Sequence, residues 1–207
     1  AQGQLATEKN GSGTTFGYTY DTAGNIRSIT KDGAVTKSFG YTNPSWPDLL
    51  TSVTANGTTK DILYEGQTRT SDVPSSGNPI TYYNGKDYTF TWTKGRQLAS
   101  ATVDGKQVSY TYDMSGVRTS KTVNGTTYNY TTLSGKVMRQ TWGSKSLEFV
   151  YDDGNQPFAM IYKHGQTTEL YYYVLNAQGD VIALLNADGT LAASYNYGAW
   201  GNYSVHG

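Results

Sequence analysis

The chain has no cysteine, which excludes disulfides, thiol catalysis and cysteine-based zinc sets. Its two histidines, His164 and His206, lie far apart in sequence, with no cysteine to complete a zinc set. Leucine, isoleucine, valine and phenylalanine are scarce, a composition that in a highly charged chain would mean disorder. Here 16 basic and 16 acidic residues cancel, so no electrostatic reason exists to expect nucleic acid or an anionic membrane as partner. No run approaches the roughly 18 apolar residues of a membrane span. The N-terminus lacks the basic, apolar and small-residue regions of a signal peptide. A Gly-x-Ser-x-Gly elbow and a Walker-type glycine loop are also missing, so hydrolase triads and phosphate cradles have no starting point.

What is there is tyrosine, 19 residues of it, with four tryptophans in a chain of 207. The aromatics replace the missing aliphatic bulk, and the buried layers are expected to be aromatic. Abundant threonine, tyrosine, glycine and asparagine favour strands and tight turns over helices. A motif recurs, purest as Tyr18-Thr19-Tyr20-Asp21-Thr22-Ala23-Gly24-Asn25-Ile26-Arg27. It returns around Tyr112-Asp113 with Gly116, Tyr151-Asp152 with Gly154, and Tyr195-Asn196-Tyr197 with Trp200-Gly201. Phe90-Thr91-Trp92-Thr93-Lys94-Gly95-Arg96 puts tryptophan in the tyrosine place. Self-similarity of this kind means one supersecondary unit stacked many times.

Before each loop, aromatics alternate with small polar residues, as in Phe16/Tyr18/Tyr20 and Tyr88/Phe90/Trp92. Period-two alternation is the half-buried strand signal. The turns form two sets. Asp32-Gly33, Asn56-Gly57, Asn84-Gly85, Asp104-Gly105 and Asn124-Gly125, continued by Gly143, Gly165 and Asp188-Gly189, read as tight hairpins. Gly24, Gly95, Gly116, Gly135, Gly154, Gly179 and Gly201 read as wider loops. Turn glycines spaced about 20 residues apart predict eight or nine units and on the order of sixteen strands. Residues 42–80, with Pro44, Pro47, Pro74 and Pro79, read as excursions from the sheet, with one short helical turn possible over Trp46–Thr51. No helix longer than about two turns is expected.

At these residues the chain resembles the RHS/YD-repeat family, which includes bacterial Rhs and wall-associated toxins, insecticidal toxin-complex shells and teneurins. The clearest signature starts at Tyr172-Tyr173-Val174-Leu175-Asn176-Ala177-Gln178-Gly179-Asp180 and runs to Ala199-Trp200-Gly201-Asn202, and it looks like the start of the family's core segment over 170–202. The likeness spans 1–207 as a single repeat region, weakest over 42–80. It implies an all-β fold of consecutive antiparallel hairpins forming a curved β-sheet strip, an arc of a hollow shell. It further implies a secreted or cell-surface protein whose shell encloses a C-terminal toxin. Gly207 comes before any Asp-Pro self-cleavage motif, so no proteolytic residue carries over. Beginning at Ala1 without methionine, the chain reads as an excised piece whose open edges would self-associate.

Each chemical constellation has a structural reading beside it. Asp21, Asp113 and Asp152 could be acid–base groups, but aspartate at a turn bonds nearby amides, and catalysis has no use for several spaced copies. Arg27, Arg96 and Arg118 are suited to stacking on neighbouring rings. Asp152, Asp153 and Asn155 lack the spacing and distal glutamate of a calcium loop. The repeat residues therefore read as structural: Tyr20, Gly24, Trp92, Gly95, Arg96, Tyr112, Gly116, Tyr151, Gly154, Gly179, Asp180, Tyr197, Trp200 and Gly201 with the three aspartates. No catalytic, cofactor or metal residue is assigned, and the chain is expected not to be an enzyme. The competing class is a glycan-binding adhesin whose exposed aromatics hold sugar, with Trp46 in its loop as the contact.

Overall fold

The computed structural model describes residues 3–10 and 13–207, and every regular element among them is a β-strand. Contacts divide the chain into two units, Ala1–Ser109 and Tyr110–Gly207. The first begins with β1 (Thr7–Lys9), β2 (Thr15–Tyr20), β3 (Ile26–Lys31), β4 (Ala34–Gly40), β5 (Ser52–Ala55) and β6 (Thr58–Asp61). These six form one antiparallel sheet in chain order. A second run follows with β7 (Thr81–Tyr83), β8 (Asp87–Thr93), β9 (Gln97–Val103) and β10 (Lys106–Tyr112), again pairing in order. β10 runs through the boundary between the units.

The second unit contains β11 (Arg118–Val123), β12 (Thr126–Leu133), β13 (Lys136–Trp142), β14 (Lys145–Tyr151) and β15 (Pro157–His164). It continues with β16 (Thr167–Leu175), β17 (Val181–Asn186), β18 (Leu191–Tyr197) and β19 (Tyr203–His206). From β12 onward each strand pairs antiparallel with its predecessor. The fold is all-β, built of consecutive hairpins, and among the described residues no helix is long and apolar enough to cross a membrane. Nineteen strands are present among the described residues, where turn spacing led us to expect about sixteen.

The tight turns follow residue chemistry. Asp32, Asn56, Asp104, Asn124 and Ser134 have φ between 46 and 51°, each followed by a glycine with positive φ. Each pair connects directly opposed residues, such as Lys31↔Ala34 and Val123↔Thr126. Two consecutive left-handed residues make the type I′ turn whose twist matches the strands, and aspartate and asparagine reach that region at low cost. Gly143 and Gly165 supply positive φ at the first loop position only, as in type II′ turns.

Four turn expectations need correction. Gly135 belongs to a two-residue hairpin, not a wide loop. Gly95 lies in a three-residue loop between Thr93 and Gln97. Asn84-Gly85 is also part of a three-residue loop, between Tyr83 and Asp87. Gly189 closes a wide loop, with its N–H on Asn186 O at 2.9 Å. In all four, the composition of the turn dipeptide was right and its strand register could not be read from it.

The larger correction concerns burial. Among the described residues the only cluster of buried hydrophobic side chains is Leu49, Val53, Ala55, Ile62, Tyr64 and Tyr83, with Phe39, Leu50 and Tyr82 packed against it. It lies mostly in the 42–80 stretch read as an excursion, and it is as much aliphatic as aromatic. β5 and β6 are sheet strands inside that stretch, while Trp46–Thr51 holds a single turn, with Leu49 N–H on Trp46 O. In the second unit the buried residues are small: Ser120, Ser146 and Ala159. Strands there contact only their chain neighbours, so no second layer covers the large rings. They stay half-exposed.

Buried amides hold the long loops around the aliphatic core. Asn43, 2% exposed, donates its Nδ2 to Thr70 O and Asp72 O and accepts from the Ser45 and Trp46 amides. Gln67 accepts from Tyr64 N–H and donates to Asp72 O at 2.6 Å. Asn78 donates to Glu65 Oε2 and to Gly95 O. Removing one such partner strands buried polar groups at roughly 1–3 kcal/mol. Asn43→Ala is therefore expected to lower stability by about 1–3 kcal/mol, read as a lower urea midpoint. An unchanged midpoint would contradict the bracing role.

Asp72 gives the same loops a pH dependence. Its Oδ2 accepts from Thr68 N–H, Arg69 N–H and Thr68 Oγ1, holding its carboxyl down at about 2. A depressed carboxylate stabilises the fold above its unfolded value and loses that contribution as pH falls through its folded value. The Asp72 contribution is therefore whole above about pH 4–5 and gone near pH 2. Comparing urea midpoints of the parent and Asp72→Asn should show a gap at pH 6 that closes toward pH 2. A gap constant over this range would contradict it.

Candidate functional site

The working unit is the wide loop and the aromatic before it. One backbone frame recurs at seven loops among the described residues: the amide of residue i donates to the carbonyl of i+4, and the amide of i+3 donates back to the carbonyl of i. It closes Asn10 to Thr14, Asp21 to Asn25, Asp113 to Val117, Asp152 to Gln156, Asn176 to Asp180, Asn186 to Thr190 and Gly198 to Asn202, at 2.8–3.2 Å. Position i+3 needs positive φ. Gly13, Gly24, Gly116, Gly179, Gly189 and Gly201 supply it at 78–96°.

Gly154 does not, and its reading is corrected. It stands at i+2, while Asn155 takes the left-handed place at φ 66°. In Asp152-Asp153-Gly154-Asn155 the glycine comes one residue early, and asparagine is the non-glycine residue that tolerates this region.

The first side chain of the frame braces it. Asp21 Oδ1 accepts from Ala23 N–H at 3.0 Å and Asn25 N–H at 2.9 Å, and its carboxyl is pulled below the usual range chiefly by the Asn25 amide. Asp113 Oδ1 does the same for Ser115 and Val117. Asp152 Oδ1 accepts from Gln156 N–H at 2.7 Å. Asn176 replaces aspartate, receiving Gln178 and Asp180 amides while its Nδ2 donates to Asp180 Oδ2. Sequence reading missed Asn10, whose Oδ1 accepts Thr14 N–H, and Asn176 as braces. The signal was available: Asn-x-x-Gly is spaced like Asp-x-x-Gly.

The aromatic stitches its strand to the one before it. Tyr20 OH donates to Leu5 O, Tyr151 OH to Val137 O and Tyr197 OH to Val181 O, at 2.7–2.9 Å. Tyr41 and Tyr64 do likewise to Ile26 O and Leu50 O. Trp92 uses its indole N–H, on Pro79 O at 2.7 Å. The register shifts immediately before Tyr20, Trp92 and Tyr151, so a bulge turns each ring toward the preceding strand.

Other rings form ladders. Tyr88, Phe90 and Trp92 line one face of β8, with Tyr82 across from Tyr88. Tyr128, Trp142, Tyr162 and His164 make a row with centroids 5.4, 6.1 and 4.6 Å apart. Arg118 lies 4.3 Å over Tyr110 and 5.9 Å from Tyr112, and Arg27 lies 5.8 Å from Tyr41. Arg96 has no ring beneath it among the described residues. Trp200, 56% exposed, sits at the tip of the loop closed by Gly201.

The titratable groups are dispersed. Among the described residues, no three His, Cys, Asp or Glu side chains stand close enough to hold a metal. His164 stacks on Tyr162 with its Nε2 3.5 Å from Glu169 Oε1, and His206 lies 3.4 Å from Ser204 Oγ. Trp46 packs on Gly77, with its ring 3.3 Å from where a β-carbon would be, and no second ring joins it among the described residues.

A backbone frame closed by side-chain oxygens and stitched by phenols defines a β-hairpin repeat protein. No family model matches the chain. It is 34% identical to the tRNA3(Ser)-specific nuclease WapA of Bacillus spizizenii and 33% identical to the tRNA nuclease WapA of Bacillus subtilis, over 96% of its own length in both cases. It spans 8% of the length of each relative. Among solved structures it is similar to the crystal structure of TcdB2-TccC3-TEV, at TM-score 0.46 and 16% identity over 92% of this chain and 13% of that one. The TcdB2-TccC3 crystal structure is also similar, at TM-score 0.44 and 14% identity over 95% of this chain and 14% of that one. The chain belongs to the RHS/YD-repeat family, whose members include toxins.

The loop geometry orders two substitutions. An L-residue in the left-handed region costs roughly 1–2 kcal/mol, so Gly116→Ala should lower stability by that amount, read as a lower urea midpoint. Gly154→Ala should cost clearly less, since its φ is not left-handed. Equal losses would show that the frame does not set the strain.

Proposed function

We propose that this chain is a non-catalytic wall segment of a YD-repeat shell, secreted or displayed at a cell surface, that encloses a C-terminal toxic domain. The observation that carries the reading is the repeated loop frame, joined at Tyr20, Tyr151 and Tyr197 by a phenol stitch to the preceding strand. A wall needs local, serial cohesion of this type, in which neighbour contacts add along the strip. Similarity to nucleases named WapA over nearly the whole chain, at a small fraction of their length, is consistent with nuclease action residing elsewhere in such proteins. The tyrosines, loop aspartates and glycines are, in this reading, structural. The alternative of an adhesin holding glycan on Trp46 has less support, because that indole leans on Gly77 as a single ring.

The parent reading frame tests the proposal. Electron microscopy should give a hollow particle with these hairpins in its wall, and protease should spare the downstream segment until the particle is opened. An extended particle whose downstream segment is cut at once would overturn the enclosure. The purified 207-residue chain should leave total tRNA intact. Cleavage that vanishes on Asp152→Ala or His164→Ala would overturn the non-catalytic reading.

A further inference from the structure

The wide loop between β18 and β19 departs from the others in two ways. Its frame starts at Gly198, which has no side chain to brace it, where the other frames start at aspartate or asparagine. It is also flanked by two tyrosines. Tyr197 stands directly opposite Tyr203, and the two strands pair from Ser194↔His206 to this point without a register shift. The matching pairs at other wide loops are Tyr20↔Ile26, Tyr151↔Pro157 and Leu175↔Val181, each beside a shift.

We propose that Tyr197 and Tyr203 are a modification site, the two halves of an oxidative dityrosine cross-link that pins β19 to the sheet. Their rings are neighbours, tilted at 46° with centroids 6.3 Å apart. Both are open to solvent, Tyr197 at 43% and Tyr203 at 66%. The hydroxyl of Tyr197 is tethered to Val181 O. Tyr203 makes no other ring contact and no side-chain hydrogen bond among the described residues, so it is the ring that swings. Exposed side chains change rotamer within nanoseconds, and that motion brings the ortho carbons together.

The oxidant is hydrogen peroxide acting through a haem peroxidase. One electron leaves each phenol and each hydroxyl proton goes to water, giving two phenoxyl radicals. Their ortho carbons join in one C–C bond, and loss of the ortho hydrogens as protons restores both hydroxyls from water. In sum, two tyrosines lose one hydrogen each and one peroxide becomes two waters. Tyr82 and Tyr88 are another directly opposed pair, with centroids 5.9 Å apart, but they lack this freedom. Tyr82 packs on the buried cluster, and Tyr88 stacks on Phe90 at 18°.

The cross-link suits its place. β19 is exposed at all four residues and pairs with β18 alone. A covalent tie across its loop limits the freedom of the opened strand, as a disulfide would in a chain that had cysteine. The site stands independently of the shell reading.

The test treats the whole chain, at low concentration, with a haem peroxidase and limiting hydrogen peroxide, read by blue dityrosine fluorescence and tandem mass spectrometry. The monomer should lose two hydrogens, with the link assigned to Tyr197 and Tyr203, and amide exchange over Tyr203–His206 should slow. Tyr203→Phe, at an exposed position where folding is not at stake, cannot supply the second phenoxyl radical and should abolish the link. Tyr88→Phe should leave it intact. A link at Tyr82–Tyr88 or at Tyr195, coupling only between chains, oxygen added at Trp200 in place of coupling, or fluorescence that survives Tyr203→Phe would each overturn the site. Unchanged amide exchange in the cross-linked chain would overturn the pinning of β19.

Discussion

The structure depends on closing each wide loop without a second layer to press it shut. Two hydrogen bonds of the backbone frame close the loop on itself, as at Asp21 and Asn25. At Tyr20, Tyr151 and Tyr197 a third, from the tyrosine hydroxyl, ties the start of the loop to the preceding strand. Each is worth about 1 kcal/mol net, which would be minor in a globular core. In a sheet whose strands touch only their neighbours, such bonds are a large share of what holds one repeat to the next. Tyrosine suits the task because one side chain covers apolar sheet surface and also carries a hydroxyl to the carbonyl. Phenylalanine at Tyr151 or Tyr197 would keep the area and lose the stitch.

Cohesion is unevenly distributed along the chain. The first unit has a small aliphatic core around Val53 and Ile62, wrapped by loops whose amides are fully engaged at Asn43, Gln67 and Asn78. The second unit has no such centre. Its buried residues are small ones shadowed by large neighbours, and its rings stack among themselves on a half-exposed face. Two kinds of stability follow: a cooperative knot in one unit and additive neighbour terms in the other. The knot lies where the repeat signature is weakest, because a buried aliphatic cluster does not need the aromatic pattern that a thin sheet requires.

Much of the fold was legible because strands and type I′ turns are local. Period-two aromatics marked β2, β8 and β14, and Asp32-Gly33 or Asn124-Gly125 fixed turns through backbone angles that few other dipeptides adopt. The core over 42–80 was not legible, because it arises from contacts between residues far apart in sequence, such as Asn43 with Thr70 and Asp72. Prolines in that stretch were rightly placed outside strands, yet β5 and β6 fit between them. Register was the other blind spot. Gly95, Gly135, Gly154 and Gly189 were recognised as turn glycines, but one residue of shift decides which turn they close, and only the pairing across strands sets that.

The seven loops also separate what the repeat requires from what it prefers. Aspartate stands first in three of them, asparagine in three, and Gly198, with no side chain, in the last. The backbone frame survives every change, including loss of the brace, so the brace adds to a geometry that the i+3 residue already fixes. Left-handed φ at that residue is the stricter demand, met by glycine six times and by Asn155 once. The motif is thus a conformational rule at one position supported by graded side-chain help at another. The loop tips remain free to vary, as Thr22, Met114, Asp153 and Ala177 do at the second position of their frames. A repeat sheet built this way can keep its strands constant while its loops diverge.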